Sequence, residues 1–406
     1  MAEFTLTNIR IIDGFGNDPI ENGFIQIKNS EISAFGAMHD NSPQPGDKVI
    51  AYKNCTALPG LFDVHTHVYP SGEEYRNKAP TPRFAEEQKQ ILAIKNLQKH
   101  LAAGFTTVRD VGSENDPVWA LREAANESWL PLPRLIASGK LLTVTNGHGT
   151  EYGIDMAWEC DSLGDLITAV RRQHAAGADF IKLIGSRAGN NHPEGLPSWS
   201  LSELKATIKE AHALGLPVSM HVSGCVESTQ LAVHAGADSI EHGWGITPQI
   251  MEEAARKQVF FCPTLSVYCN LENLAKEGLW RRSWEDYIKT WGSREDRFFE
   301  VKKAHESGVP IVCGTDAGNP DTFHGTGAIE LGLLVEAGLS PMDAIIAASS
   351  NAAKVCGIQE QAGSITVGKN ADLLIVKGNP LENINLLQKH ALIRAVYKDG
   401  KLVNTV

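Results

Sequence analysis

The sequence lacks the features that mark membrane proteins, disulfide-rich secreted proteins and nucleic-acid-binding proteins. No run of 18 apolar residues occurs, so no transmembrane helix is predicted. The seven cysteines form no Cys-Xaa-Xaa-Cys pair and one must stay unmatched, which is typical of reduced thiols in the cytoplasm. A net charge of −11 disfavours binding to nucleic acid or to an anionic membrane. The N-terminus alternates like a strand and does not resemble a signal peptide.

Short apolar, β-branched segments alternate with amphipathic helices through most of the 406 residues. Apolar strands separated by helices pair in parallel and are covered on both faces. Eight such units predict an α/β fold, a (β/α)8 TIM barrel. The predicted strands are 61–67, 106–111, 134–142, 179–185, 217–222, 238–243, 259–265 and 310–318.

Two helices of this region have clear boundaries in the sequence. Ser200 and Glu203 form a capping box ahead of an apolar stripe. Ser340 caps a second helix that has Pro341 in its first turn, and Gly357 is expected to end it.

Both chain ends consist of short alternating strands that cannot bury much core alone. Residues 1–57 and 358–406 are therefore predicted to form one composite small β-sandwich domain, with the barrel over 58–357. An Asp-Gly hairpin turn is predicted at Asp399 and Gly400. Further turns are predicted at Gly14, Gly23 and Gly46.

Two segments exceed ordinary connector length, 68–87 and 268–300. The second contains Trp280, Trp284 and Trp291. Each follows a strand, which places it above the C-terminal mouth of the barrel. A helical insertion held by aromatic packing and a substrate lid are both open interpretations.

His65 and His67 end the first barrel strand, and side chains two apart on a strand point to the same side. Alone this pair is a weak signal, because a chance His-Xaa-His is common in a chain with 14 histidines. Other metal-capable residues occupy further strands: Lys182 in strand 4, and His221, His242 and Asp316 at the ends of strands 5, 6 and 8. Barrel active sites lie at the C-terminal strand ends, so the joint placement predicts a metal site. A lysine that faces the interior needs a partner of opposite charge.

The ordered motifs LPGLFDVHTH, TTVRD, IKL, MHV, IEHG, GTDAG and GKNADLLIV resemble the amidohydrolase superfamily over the whole chain. The resemblance is strongest to its imidazolonepropionase-related and Xaa-Pro dipeptidase-like metal-dependent hydrolases. It implies two divalent metal ions and a Lys182 carboxylated on its side-chain nitrogen that bridges them. The implied ligands are His65, His67 and Asp316 for the first ion, and His221 and His242 for the second.

These ligand types suit Zn²⁺, and Mn²⁺, Co²⁺ or Fe²⁺ would also fit them. A metal-bridging hydroxide would be the nucleophile, and Asp316 would move its proton to the leaving nitrogen. His148 in TNGHGTEYG resembles a loop whose histidine contacts the substrate carbonyl, and Tyr152 is a weaker candidate. A substrate carboxylate could be bound by Arg187, His192 or His324. The alternative is that these loop side chains face the solvent.

The predicted activity is hydrolysis of an amide bond in a dipeptide or N-acyl amino acid, a small-molecule substrate. The segments HVSGCVES and GSRAGNNHPEG depart from the dipeptide-cleaving relatives, so other substrates stay open. These are a cyclic amide of the imidazolone type, a lactone or phosphotriester, and the substrate of a mononuclear deaminase. A non-enzymatic assembly protein is disfavoured because all six ligand positions are filled. A cytoplasmic homo-oligomer is expected.

Overall fold

The computed structural model describes residues 3–39, 48–73, 86–150, 155–187, 196–280 and 283–403. The predictions made for Gly46, Tyr152 and His192 lie outside these ranges. None of the helices within them has the length and apolar composition that crossing a bilayer requires.

Strands occur throughout the described ranges. In order they are β1 Glu3–Ile11, β2 Ile20–Lys28, β3 Glu31–Ala37, β4 Val49–Ala51, β5 Cys55–Pro59, β6 Leu61–Thr66, β7 Phe105–Asp110, β8 Arg134–Ala137, β9 Leu141–Thr143, β10 Ala157–Glu159, β11 Ile181–Ile184, β12 Ser186–Arg187, β13 Leu196–Pro197, β14 Val218–Val222, β15 Ser239–His242, β16 Phe260–Cys262, β17 Leu373–Lys377, β18 Ile393–Lys398 and β19 Lys401–Leu402.

Helices separate the central strands. They are α1 Glu86–Ala102, α2 Asn115–Asn126, α3 Leu163–Ala176, α4 Leu201–Ala213, α5 Val226–Ala235, α6 Pro248–Lys257, α7 Leu265–Lys276, α8 Trp284–Trp291, α9 Arg294–Glu306, α10 Ala328–Glu336, α11 Pro341–Ala347 and α12 Ser350–Val355, with 3₁₀ turns at Ile384–Gln388 and His390–Leu392. The capping box predicted for α4 is confirmed, since Ser200 and Glu203 each bond the other's backbone N–H.

The central strands form two parallel arrays, β6–β7–β8 and β10–β9–β11–β14–β15–β16. Seven of the eight predicted barrel segments contain a strand, and the predicted α/β class is confirmed. Segment 134–142 contains two strands, β8 and β9, instead of one.

The eighth predicted strand, 310–318, is wrong as a continuous strand. The segment still lies between β16 and β6, since Val312 N donates to Phe261 O and Val64 N donates to Cys313 O, at 2.9 and 3.0 Å. Only isolated bridges form there, because the N–H of Thr315 donates to the Asp63 carboxylate and not to a neighbouring strand.

The helix predicted from Ser340 to Gly357 is broken into α11 and α12. The carbonyl of Ala347 accepts from Cys313 N and that of Ala348 accepts from Phe62 N, both at 2.9 Å. These carbonyls are bonded to the central strands, so the helix is interrupted where it crosses them.

Strands from both chain ends join in one eight-stranded sheet, in the order β19–β18–β17–β5–β1–β2–β3 with β4 also beside β1. The hairpin at Asp399 and Gly400 is confirmed, with φ of +48° and +69°. The turn predicted at Gly23 is wrong, because Gly23 lies inside β2. A Cβ there would approach Ile11 Cδ1 to 2.6 Å, so close strand packing accounts for this glycine. The boundaries at residues 57 and 358 stay predictions.

Candidate metal centre

One cavity opens at the C-terminal ends of β6, β11, β14 and β15, beside segment 310–318. All six residues predicted as ligands line it: His65, His67, Lys182, His221, His242 and Asp316. The sequence placed these residues on five different strands, and the fold brings them to one site.

The Asp316 carboxylate faces the histidine pair of β6. Its Oδ1 atom lies 3.5 Å from Nε2 of His65 and 3.5 Å from Nε2 of His67. Asn319 Nδ2 donates to the same oxygen at 2.7 Å and holds the carboxylate in place. The ligand atoms of His65, His242 and Asp316 all lie within 4.8 Å of one another, close enough to share a metal ion.

The side chains of His221, His242 and Lys182 also line the cavity. The imidazole centroid of His242 lies 4.5 Å from that of His221 and 4.8 Å from that of His65. Nζ of Lys182 and Nε2 of His221 are buried and have no hydrogen-bond partner among the described residues. Buried polar atoms are almost always paired. The unpaired atoms therefore fit a metal-binding role for His221 Nε2 and a chemical modification of Lys182 Nζ.

The Nδ1 atoms of three of these histidines are bonded to protein groups. His65 Nδ1 lies 2.6 Å from Glu241 Oε2, and His67 Nδ1 lies 3.1 Å from Gly112 O. His242 Nδ1 lies 2.7 Å from Thr264 Oγ1. A ring whose Nδ1 is engaged in this way presents Nε2 to a metal.

Burial lowers the pKa values of the four histidines. The pKa of His67 falls to about 4, and those of His65, His221 and His242 also lie below the ordinary value. The imidazoles are therefore neutral, the form that binds metals. Burial also lowers the pKa of the Lys182 ammonium to about 8.

Two of the candidate ligands have left-handed backbones. The φ angle is +71° at His242 and +63° at Asp316. Such a conformation is strained for a residue with a side chain and persists where the surroundings impose it. At Asp316 the backbone N–H donates to His65 O at 2.8 Å, which fixes that turn against β6.

Two residues of the site, Glu241 and Arg109, were not predicted from the sequence. Glu241 precedes His242 directly, and strict strand alternation would have pointed one of the two away from the interior. The left-handed turn at His242 lets both face it. The IEHG motif offered a signal for Glu241, because it places an acidic residue in an apolar strand directly before the histidine.

Glu241 could itself belong to an alternative cation group with His65 and Cys262. The Arg109 guanidinium already pairs with this carboxylate, with Nη2 at 2.7 Å from Glu241 Oε1. Burial opposes ionisation of Glu241, but Arg109 and His65 hold its pKa well below the ordinary value. Burial raises the pKa of the Cys262 thiol, which disfavours the thiolate. His65, His242 and Asp316, which face the cavity, are the better candidates for metal ligands.

The remaining candidates differ in position. His148 is half-buried in the cavity, with its ring centroid 4.8 Å from that of His221. His324 is buried outside it, bonded to Pro70 O and to His100 at 2.8 and 2.9 Å. Arg187 donates to Pro197 O and lines a separate groove.

The described part of segment 268–300 lies mostly in α7, α8 and the first half of α9. Trp280, Trp284 and Trp291 pack in one cluster with apolar residues of α7 and α8. Trp291 also reaches β14, since its Nε1 donates to Ser223 Oγ at 2.9 Å. Tyr268 of α7 bonds the same hydroxyl, and its ring centroid lies 5.7 Å from that of His242. Aromatic packing and proximity to the site are thus combined in this segment.

Comparison with known proteins gives consistent matches over the full length. Residues 56–403 match the sequence profile of the Amidohydrolase family. Ochratoxinase of Aspergillus niger is 27% identical over 425 aligned residues, covering 97% of this chain and 85% of that protein. Imidazolonepropionase of Streptococcus sanguinis is 24% identical over 423 aligned residues, covering 95% of this chain and 90% of that protein.

Among solved structures, a Xaa-Pro dipeptidase with bound methionine in its active site matches with a TM-score of 0.87. It is 29% identical, and the match covers 99% of this chain and 100% of that chain.

Proposed function

The chain belongs to the amidohydrolase family and is a hydrolase of amide bonds, and we propose that it works with two divalent metal ions in the cavity described above. His65, His67 and Asp316 would hold the first ion, and His221 and His242 the second. Zn²⁺ suits these imidazole and carboxylate ligands. The observation that carries the proposal is the convergence of all six side chains on one cavity.

Lys182 is proposed to carry a carboxyl group on Nζ that bridges the two ions. Two divalent cations in one site repel each other strongly unless anions lie beside them. A carboxylated Lys182 and Asp316 would supply those anions. The buried, unpartnered Nζ atom supports this role, because an ordinary ammonium there lacks a hydrogen-bond acceptor among the described residues.

The finer form of the fold is also part of the proposal. The backbone hydrogen bonds from β16 to segment 310–318 and from that segment to β6 support closure of the two parallel arrays into a (β/α)8 barrel. Asp179 N donates to Ala137 O at 3.0 Å, which supports a junction between β8 and the start of β11.

When bound, the metal ions would supply an activated water and polarise the substrate carbonyl. Asp316 can accept a proton on its carboxylate and return it to the leaving nitrogen. Asn319 keeps that carboxylate directed into the cavity. His148 stands beside His221 at the rim, where its ring can orient the carbonyl oxygen.

The proposed substrate is a dipeptide or an N-acyl amino acid. Leu141, Met156 and Ile184 form an apolar wall of the cavity, which suits an apolar group next to the scissile amide. A panel of dipeptides, N-acyl amino acids, imidazolone-type cyclic amides and lactones, assayed with metal-replete enzyme, tests this. We expect turnover of the open-chain amides. Hydrolysis of lactones alone would contradict the proposal.

We predict close to two divalent ions per chain in the active, purified protein, because the cavity offers two ligand groups. Elemental analysis of enzyme dialysed against metal-free buffer measures the number, with activity followed in the same samples. Full activity at one ion per chain would reject the two-metal site and favour the deaminase alternative.

Trp291 is predicted to report substrate binding. Its Nε1 is bonded to Ser223, two residues after His221, whereas Trp284 stacks on Tyr287 within its own segment. The tryptophan fluorescence of Trp284→Phe should still respond to a substrate analogue, and that of Trp291→Phe should respond less. Trp291→Phe should also raise KM. If both variants only lower the melting temperature, the segment has a packing role alone.

We also propose a cytoplasmic location and a homo-oligomeric state. All seven cysteines lie in the described ranges as free thiols, which suits a reducing compartment.

A further inference from the structure

Glu241 is a fully buried carboxylate behind the candidate ligands. Its Oε2 atom accepts a hydrogen bond from His65 Nδ1 at 2.6 Å. Three further donors, each at 2.7 Å, bond Oε1: Arg109 Nη2, Ser219 Oγ and Ser239 Oγ. Because an ionised carboxylate can only accept, the proton of the neutral His65 ring is fixed on Nδ1, and Nε2 is left for a metal.

Arg109 fixes Glu241 against the first barrel strand. Its Nε donates to Val64 O at 2.5 Å, and its guanidinium lies 5.1 Å from the ring centroid of Phe180. A buried ion pair loses much of its Coulomb attraction to desolvation, so net stability is a poor explanation for it. The pair has another effect, since it holds the charged Glu241 carboxylate against His65, a candidate metal ligand.

The other two supported histidines have neutral partners. His67 Nδ1 donates to the carbonyl of Gly112, and His242 Nδ1 is bonded to the Thr264 hydroxyl. Hydrogen bonds to a charged acceptor are stronger than those to a neutral one. The support is therefore unequal between the proposed first metal position, which contains His65, and the second, which contains His242.

We propose that Glu241, held by Arg109, is a positioning residue that fixes His65 for the first metal ion, while Thr264 gives His242 a weaker support at the second. This inference rests on the two-metal site proposed above. If it holds, the metal affinity of each position can be changed separately by substituting Glu241 or Thr264, neither of which binds a metal ion.

Zinc binding by the metal-free protein tests this, with Zn²⁺ titrated against a chromophoric chelator in bicarbonate buffer. Glu241→Gln should weaken one of the two binding constants about 10–100-fold, the scale of lost outer support to a metal ligand. Thr264→Val should weaken the other constant, and by a smaller factor.

The matched control is Asp372→Asn. Asp372, directly before β17, forms another carboxylate–arginine pair, with Arg134 of β8 at 2.8 Å, and neither residue lines the cavity. It should lower the melting temperature of the metal-free protein and leave both zinc constants unchanged. If Glu241→Gln behaves like Asp372→Asn, its role is structural and the inference is wrong.

Ser219→Ala keeps the carboxylate and removes one of its donors, so it serves if Glu241→Gln does not fold. We expect a smaller weakening of the same zinc constant, and an unchanged constant would overturn the inference. Failure of the wild-type protein to bind two zinc ions would instead refute the two-metal site itself.

Discussion

Replacing Lys182 with alanine is expected to abolish nearly all activity and to lower the metal content. The proposed carboxyl group on Nζ would be the anion shared by both metal positions, and alanine leaves two cations facing each other without it. Acetate, formate or propionate added at high concentration should restore part of the activity by binding in the space that the side chain leaves. Initial rates and bound metal should be measured together over a range of acid concentrations.

Asp316→Asn provides the control for that rescue, since this variant keeps the Lys182 side chain and leaves no space there for a small acid. We expect no recovery with this variant. An unmodified Lys182 in a metal-replete crystal grown at neutral pH in air would contradict the carboxylation. Near-normal turnover of Lys182→Ala would contradict any bridging role.

Asp316→Asn should itself retain the fold and lose about 10²–10⁴-fold in turnover, the scale of a general acid–base group. The amide is close in shape to the carboxylate but cannot take a proton at neutral pH. The single-turnover rate is the measurement of choice, with bound metal determined in parallel because the same side chain is a candidate ligand.

Asn319→Ala separates proton transfer from orientation. It removes the 2.7 Å hydrogen bond to Asp316 Oδ1 and leaves the carboxylate in place. We expect a much smaller loss of turnover than in Asp316→Asn. Equal losses in the two variants would show that orientation of the carboxylate, and not its basicity, limits the reaction.

Local sequence was sufficient for the repeating plan of the molecule. Apolar β-branched runs between amphipathic helices predicted parallel strands, and seven of eight segments contain one. The eighth, 310–318, has the same composition. It does not form a continuous strand because Asp63, 252 positions away in sequence, takes the N–H of Thr315. No local pattern could reveal that competitor.

The candidate site, like the fold, was predictable in part from local sequence and in part depends on contacts between distant segments. Sequence determined which residue types end the strands, and parallel strands bring their C-terminal ends to one side, so His65, His67, His221 and His242 could be assigned to one cavity in advance. Their metal-binding chemistry follows from the residue type and from its position in a predicted strand, and both can be read from the sequence.

Only the tertiary structure decided how those side chains are held. Strand alternation is a local rule and places neighbouring residues on opposite faces, yet Glu241 and His242 both face the interior because the backbone of His242 is left-handed. The Glu241 carboxylate meets Arg109 and His65 from separate strands. These features depend on contacts between segments far apart in sequence, and such contacts exist only when the chain is folded.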